Sequence, residues 1–241
     1  MSRHSWRLGL LAGGILAAAG TAAASSFSLA PIRLEMDAGH SAGVVTLHNE
    51  GDAPVTVQVQ PVAWSQDGKD DHYEKTGELI VTPPVFVVPP NGDRIVRVAR
   101  RVGPDQSDER TYRLFFQEVP EAAPAGFTGL SVALRVGIPV FMTPKGAKPD
   151  LTFSSRWQSS GELEIEATNH GHAHIQVTDF EVTGPDATVI ARAAGSRYVL
   201  PGAVMHWTVK PLAGTAKPAA LRLSGHSDAG DIAADVAPAA P

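Results

Sequence analysis

"GLSVALRVGIPVFMTP", residues 129–144, decides the fold. Leu130, Val132, Leu134, Val136 and Ile138 fall on one side of a period-two repeat, while Ser131, Ala133, Arg135 and Gly137 fall on the other. That alternation belongs to a β-strand and not to a helix. Pro139 in its second half lacks the N–H that a central strand needs on both sides, so the segment reads as an edge strand. It follows "PEAAPAGFTG", residues 120–129, a long Pro/Ala/Gly loop. An edge strand with a ladder of large aliphatics pairs with a second copy of itself unless it has a designated partner.

The rest of the chain repeats the pattern. "GVVTLHNEG" (43–51), "PVTVQVQPVAW" (54–64), "ELIVTPPVFVVPP" (78–90), "TYRLFFQEVP" (111–120), "ELEIEATN" (162–169) and "AALRLSG" (219–225) are alternating or β-branched blocks separated by turn residues. No capped stretch of helical period competes with them, so the fold class is all-β, with strands at sandwich spacing. "TPKGAKPD" (143–150) has the composition of a linker, with two prolines, a glycine and two lysines. It divides a first domain, residues 25–144, from a second, residues 149–228, and the small, acidic, proline-bearing end, 229–241, reads as a flexible tail. Asn49-Glu50-Gly51-Asp52-Ala53-Pro54-Val55 lines up with Asn169-His170-Gly171-His172-Ala173-His174-Ile175, so each half carries one copy of N-x-G-x-A-x-[V/I] and the halves read as two copies of one sandwich.

The chain opens with Arg3 and Arg7, an apolar run from Leu8 to about Ala19, and Ala22-Ala23-Ala24. Positive start, apolar centre and small-residue site make a secretory signal over residues 1–24, and the run is too short to span a bilayer. Those residues carry two arginines and no acid, so their removal takes the formal net charge from −5 to −7 over 217 residues. An acidic chain of this kind is not expected to bind nucleic acid. With no cysteine there is neither a disulfide nor a thiolate site, and the apolar cores must hold the fold.

The alternate histidines His170, His172 and His174 invite a metal. The first copy of the repeat builds the same turn from Glu50, Asp52 and Pro54, so the turn does not need histidine for its geometry, and no further ligand follows nearby. They read as decoration on a solvated turn, with no metal and no cofactor expected. G-x-S-x-G, H-E-x-x-H and a phosphate-cradling glycine loop are all missing, so an enzyme is not expected. Arginines lie close to strands at Arg33, Arg94, Arg97, Arg113 and Arg135, and Arg33 sits between Ile32 and Leu34 in what reads as a buried opening strand.

Taken together, the opening strand with Arg33, "VTLHNEG", "VTPPVFVVPPNGDRIVRV", "TYRLFFQEVP" and the edge strand ending in "IPVFMTP" resemble the PapD-like periplasmic chaperones of the chaperone-usher pathway, with an ending like that of their archaic branch. The resemblance implies two immunoglobulin-like β-sandwich domains with a cleft between them and no catalysis. It implies periplasmic residence and, as partners, pilin-like subunits and an outer-membrane usher. The subunit would receive the edge strand, with Leu130, Val132, Leu134, Val136 and Ile138 filling its open core. Arg33 would hold the subunit's terminal carboxylate. The family's second anchor is a lysine where this chain has Pro139, so Arg97 or Arg135 would stand in. Arg97, Glu109 and Asp228 match a charged network between the domains. The alternative from composition is an exported β-sandwich adhesion or carbohydrate-binding module, which would need exposed aromatics where Trp64, Trp157 and Trp207 sit in strand-like blocks.

Intact-mass measurement of the exported protein should give a chain beginning at Ser25; a mature species that retains Met1 would contradict the reading of the first 24 residues.

Overall fold

The computed structural model describes residues 27–68, 70–101, 107–120, 132–215 and 217–238. The signal segment, Leu130 and most of the loop before it lie outside the described residues. The described chain consists of strands and connections, with no helix. Ten strands build the first domain: β1 (Phe27–Ala30), β2 (Leu34–Met36), β3 (Ala42–Asn49), β4 (Val55–Gln66), β5 (Asp71–Lys75), β6 (Leu79–Thr82), β7 (Val85–Val88), β8 (Asp93–Arg100), β9 (Arg110–Glu118) and β10 (Arg135–Met142). Seven build the second: β11 (Leu151–Trp157), β12 (Leu163–Asn169), β13 (Ile175–Thr183), β14 (Val189–Val199), β15 (Val204–Val209), β16 (Leu221–Ser227) and β17 (Gly230–Pro238).

In the first domain a sheet of order β1-β3-β8-β6 faces one of order β2-β10-β9-β4-β5, with β7 also on β4. Alternation explains the core between them. On β4, Val55, Val57 and Val59 point inward and are buried, against Leu114 and Phe116 of β9 and Val45 and Leu47 of β3. The opening strand serves both sheets: β1 pairs with β3, the chain bends at residues 31–33, and β2 then lies parallel to β10. Arg33 is therefore on a bend and not inside a buried strand, and Ile32 beside it is 75% exposed. The second domain has its own core around Ile165, Val182, Trp207 and Leu223, in the strand order β14-β13-β16-β17-β11-β12-β15.

β10 as described begins at Arg135, although Leu134 before it already exchanges hydrogen bonds with Glu118, and the Leu130 end of the expected row lies outside the described residues. One reading from the sequence changes. The end of the chain is no tail through Pro238: it forms β17, paired with β16 and, at Ala237 and Pro238, with β11. Its period-two row Ile232, Ala234, Val236 packs on the second core, and small side chains had disguised that alternation.

The repeated N-x-G-x-A has a physical cause. Asn49 and Asn169 are fully buried. Asn49 Nδ2 donates to the carbonyls of Ala53 (2.8 Å) and Val88 (3.3 Å), and its Oδ1 accepts from Gly51 N at 3.0 Å. Asn169 Nδ2 donates to Ala173 (2.8 Å) and Val199 (3.0 Å), and its Oδ1 accepts from Gly171 N (3.0 Å) and Asp150 N (3.1 Å). One amide thus closes a turn on itself and ties it to a distant strand. In the second copy it also pins the connection between the domains, which runs so close that a Cβ on Gly171 would lie 2.3 Å from Lys148 O.

Removing the Asn169 amide orphans buried backbone groups, so Asn169→Ala should lower unfolding free energy by about 2–4 kcal/mol in urea melts. Asn49→Ala, which frees no linker amide, should cost less; equal and negligible costs would contradict this reading.

Candidate functional site

Two features lie where the domains meet: a packed, charged joint and an open strand edge beside it. The joint begins from an exception to alternation. Trp64 of β4 has outward parity and is nevertheless buried, because residues of the second domain pack over it. Trp64 packs with Phe141 of β10 and with Leu200 and Ala203, which connect β14 to β15. Gln66 extends the contact like a short strand, donating to Tyr198 O (3.1 Å) and accepting from Leu200 N (3.0 Å).

The charged half surrounds His174. Its ring stacks on Phe141 with centroids 3.4 Å apart and its side chain is 9% exposed. Nδ1 lies 2.8 Å from Glu109 Oε1, and Glu109 also accepts from His174 N (3.1 Å) and from the Thr143 hydroxyl (2.7 Å). The buried carboxylate is thereby fully engaged, as burial of a charge demands. A backbone bond from Glu109 N to His172 O, 2.9 Å, runs alongside it. Nε2 of His174 faces Asp228 (3.8 Å) and Glu35 (4.0 Å). Arg33 completes the group, bonded to Asp228 at 2.7 Å and to Glu35 at 2.9 Å. Asp228 also accepts from Gln176 N at 2.8 Å.

Of the expected network, then, Glu109 and Asp228 meet at the joint and Arg97 does not. Arg97 is exposed on β8, in the other sheet, opposite Val44. Its neighbours Val96 and Val98 take the inward positions, which forces Arg97 out. Arg33 holds the network place given to Arg97. The histidine turn is also corrected. His170 lies 3.0 Å from the Thr152 hydroxyl, His172 2.6 Å from Asp108, and His174 is a central member of the joint. Among the described residues no three His, Asp or Glu side chains gather as a metal site. The signal for His174 was the difference between the repeats, since Pro54 stands at its place in the first copy. Trp157 and Trp207 pack on the second core, so neither offers the exposed platform that the carbohydrate-binding alternative needs.

The open edge is β10. It pairs with β9 along its whole length, Arg135 to Met142, but with β2 only at Val140, Phe141 and Met142. On the side away from β9, the run up to Pro139 has no strand beside it among the described residues. Along this run burial is graded. Val132 is 65% exposed, Leu134 and Val136 are half-buried against the first core, and Ile138, at 2%, belongs to that core. The aliphatic row is therefore not uniformly free: its inner end serves the domain itself. Arg135 stacks on Phe115, its Cζ 4.0 Å from the ring centroid, and Arg113 on Trp64 at 4.1 Å.

Comparison with known proteins places this architecture. Residues 26–148 match the family model described as pili and flagellar-assembly chaperone, PapD N-terminal domain. The chaperone protein FimB/FhaD of Bordetella pertussis is 28% identical over 240 residues, covering 89% of this chain and 96% of that protein. Among solved structures, the CsuC–CsuE chaperone and tip adhesion subunit complex from the archaic Csu pili of Acinetobacter baumannii aligns over 89% of this chain and 100% of the matched chain, at a TM-score of 0.67 and 22% identity. The Salmonella enterica SafA pilin complex with the SafB chaperone aligns over 88% and 96%, at 0.57 and 17%.

Glu35 gives the joint a pH signature. Its carboxyl is pushed above the ordinary glutamate value of 4.5, first by burial and then by Glu109 and Asp228, while His174 and Arg33 draw it down. The folded protein therefore holds this proton more tightly than the unfolded chain. The contribution is fully present below pH 4.5 and is lost as pH rises through the raised value. Glu35→Gln should flatten that part of the stability-against-pH curve; an unchanged curve would contradict the assignment.

Proposed function

Because the chain belongs to the pilus-assembly chaperones of the PapD family, which are not enzymes, we propose that it binds pilus subunits in the periplasm by lending them the free edge of β10 and passes them to an outer-membrane usher. The observation that carries the reading is the register of β2: a strand laid along β10 finds unpaired main chain up to Pro139 and is stopped where β2 begins at Val140. The main-chain ladder supplies affinity and the side chains at alternate positions supply the fit. Val132 is exposed and gains most from a partner, on the order of 1.5–3 kcal/mol when fully buried. Leu134 and Val136, at the rim where the two sheets part, gain less, and Ile138 gains nothing. Leu130 would continue the row and lies outside the described residues.

Arg33 stands just before the residue where β2 meets β10, so a strand added to the open run ends beside it. Its two carboxylate partners, Glu35 and Asp228, already balance its charge, which suits a role in setting the angle between the domains. Export to the periplasm is supported by the charged, apolar and small-residue order of residues 1–24. Delivery to an usher rests on family membership alone.

The test contrasts two positions on one strand. Val132→Ser should change unfolding free energy by no more than about 0.5 kcal/mol and yet reduce rescue of a co-expressed subunit from proteolysis. Ile138→Ser should cost the chaperone itself several kcal/mol, roughly 2–5 for loss of a buried aliphatic. Full rescue by a folded Val132→Ser variant would contradict the donor role of this run.

A further inference from the structure

β14 and β15 are consecutive strands of the second domain that do not pair with each other. They stand at the two ends of its strand order, β14 bonded only to β13 and β15 only to β12. The chain nevertheless ties them together twice: Ala203 N donates to Leu200 O (3.0 Å) in the turn between them, and Leu212 N donates to Ile190 O (2.8 Å) at the far end. Between these ties no main-chain hydrogen bond joins the two strands among the described residues, and a cavity of about 450 Å³ opens there. A bulge accounts for the split. Val177 of β13 pairs with Arg197 and Asp179 with Ala194, so Gly195 and Ser196 of β14 together oppose one residue of β13. Gly195 has a φ of 112°, which side chains rarely adopt, and a bulge of this kind bends its strand.

The slot is lined by three cations, Arg192, Arg197 and Lys210, and by no acid. That runs against the formal net charge of the chain, −5. Glu181 accepts from Arg192 Nε at 2.8 Å and lies 2.7 Å from Nη2, which fixes this arginine and offsets its charge. Arg197 Nη1 donates to His206 O on the β15 edge at 3.1 Å, and no carboxylate pairs with Arg197 or Lys210 among the described residues. Ser196 and Thr208 add a hydroxyl from each strand. Ser196 Oγ accepts from Gln176 Nε2 at 2.6 Å and so keeps its own hydrogen to give. Trp207 and Val209, members of the second core, line the inner side.

We propose that this slot is a binding site for a phosphate ester. Cations, hydroxyl donors and unpaired strand edges have an oxyanion as their common partner. A carboxylate is planar and is satisfied by one guanidinium fork, whereas the tetrahedral oxygens of a phosphate accept from several sides, and here the donors stand on both strands. The slot is tied at both ends, which admits a compact ligand and keeps out an added β-strand. Its volume leaves room for the sugar or glycerol that carries the phosphate, against Trp207. No residue of β2 or β10 lines it, so the site goes beyond the subunit-binding reading and does not depend on it. The same chemical group occurs on soluble esters and on membrane lipids, and the experiment separates the two sources.

The soluble probe is glycerol 3-phosphate, followed by backbone amide shifts of the isotope-labelled protein, with acetate as the comparison anion. The membrane probe is co-sedimentation with phosphatidylcholine vesicles prepared with and without phosphatidic acid. Glycerol 3-phosphate should shift the amides of 192–197 and 206–210 saturably, and acetate at the same concentration should not. Lys210→Gln and Arg197→Gln should each weaken binding about tenfold or more, the usual effect of losing a charge-assisted hydrogen bond. Arg222→Gln, which changes an exposed arginine of the same domain outside the slot, should leave binding unchanged. Lys210 is exposed and makes no hydrogen bond among the described residues, so its variant carries the test if Arg197→Gln does not fold. Binding of glycerol 3-phosphate supports a site for soluble esters; sedimentation with phosphatidic acid vesicles alone, lost in Lys210→Gln, supports a lipid headgroup. Binding of neither probe, equal binding of acetate, or binding that Lys210→Gln leaves intact overturns the proposal.

Discussion

Three residues of β2 set the limits of everything that can happen on β10. A strand edge exposes a row of N–H and C=O groups, and natural sheets cover or spoil such edges because any extended chain can pair with them. Here the cover is partial, Leu34 to Met36 against Val140 to Met142. Had β2 started a few residues earlier the first sandwich would be closed, and the molecule would be an ordinary pair of β domains. The bend at residues 31–33, which sends the chain from one sheet to the other, is what delays it. The same bend puts Arg33 at the boundary between covered and open edge, next to the second domain.

The joint holds this edge in a fixed relation to the second domain. Apolar contact among Trp64, Phe141, Leu200 and Ala203 supplies adhesion, and the bonded Glu109–His174 pair supplies direction. A buried carboxylate whose partners come from both domains is a weak contributor to net stability but a strong constraint on geometry, because displacing either side strands a charge. Phe141 links the two features: it belongs to β10, its ring supports His174, and its backbone pairs with β2. A shift at the joint would therefore be felt at the end of the open edge.

Much of this was legible in the sequence, for reasons that can be assigned. Strands with one wet and one dry face announce themselves by alternation, as β4 does up to Val59. Pro139 marked an edge because proline removes a donor. The repeated Asn-x-Gly-x-Ala marked a turn that a single buried amide closes twice. What stayed hidden depends on contacts distant in sequence. His174 looked decorative because its partner, Glu109, is 65 residues away and nothing local to the turn asks for a histidine. Trp64 sits on the outward side of β4 and is buried only because another domain covers it. Arg97 and Arg33 are alike as residue types, and what places Arg33 at the joint is its bond to Asp228, 195 residues away. β17 is faint in the sequence because alanines carry alternation with little hydrophobic contrast.

The central claim is that the open run of β10 is completed by a partner's strand. Backbone hydrogen exchange compares the free chain with its subunit complex residue by residue. Rapid exchange is expected at the outward amides between Val132 and Ile138 in the free protein and strong protection in the complex, with the amides of β6 and β8 unchanged. Protection that appears elsewhere while these amides continue to exchange freely would contradict it.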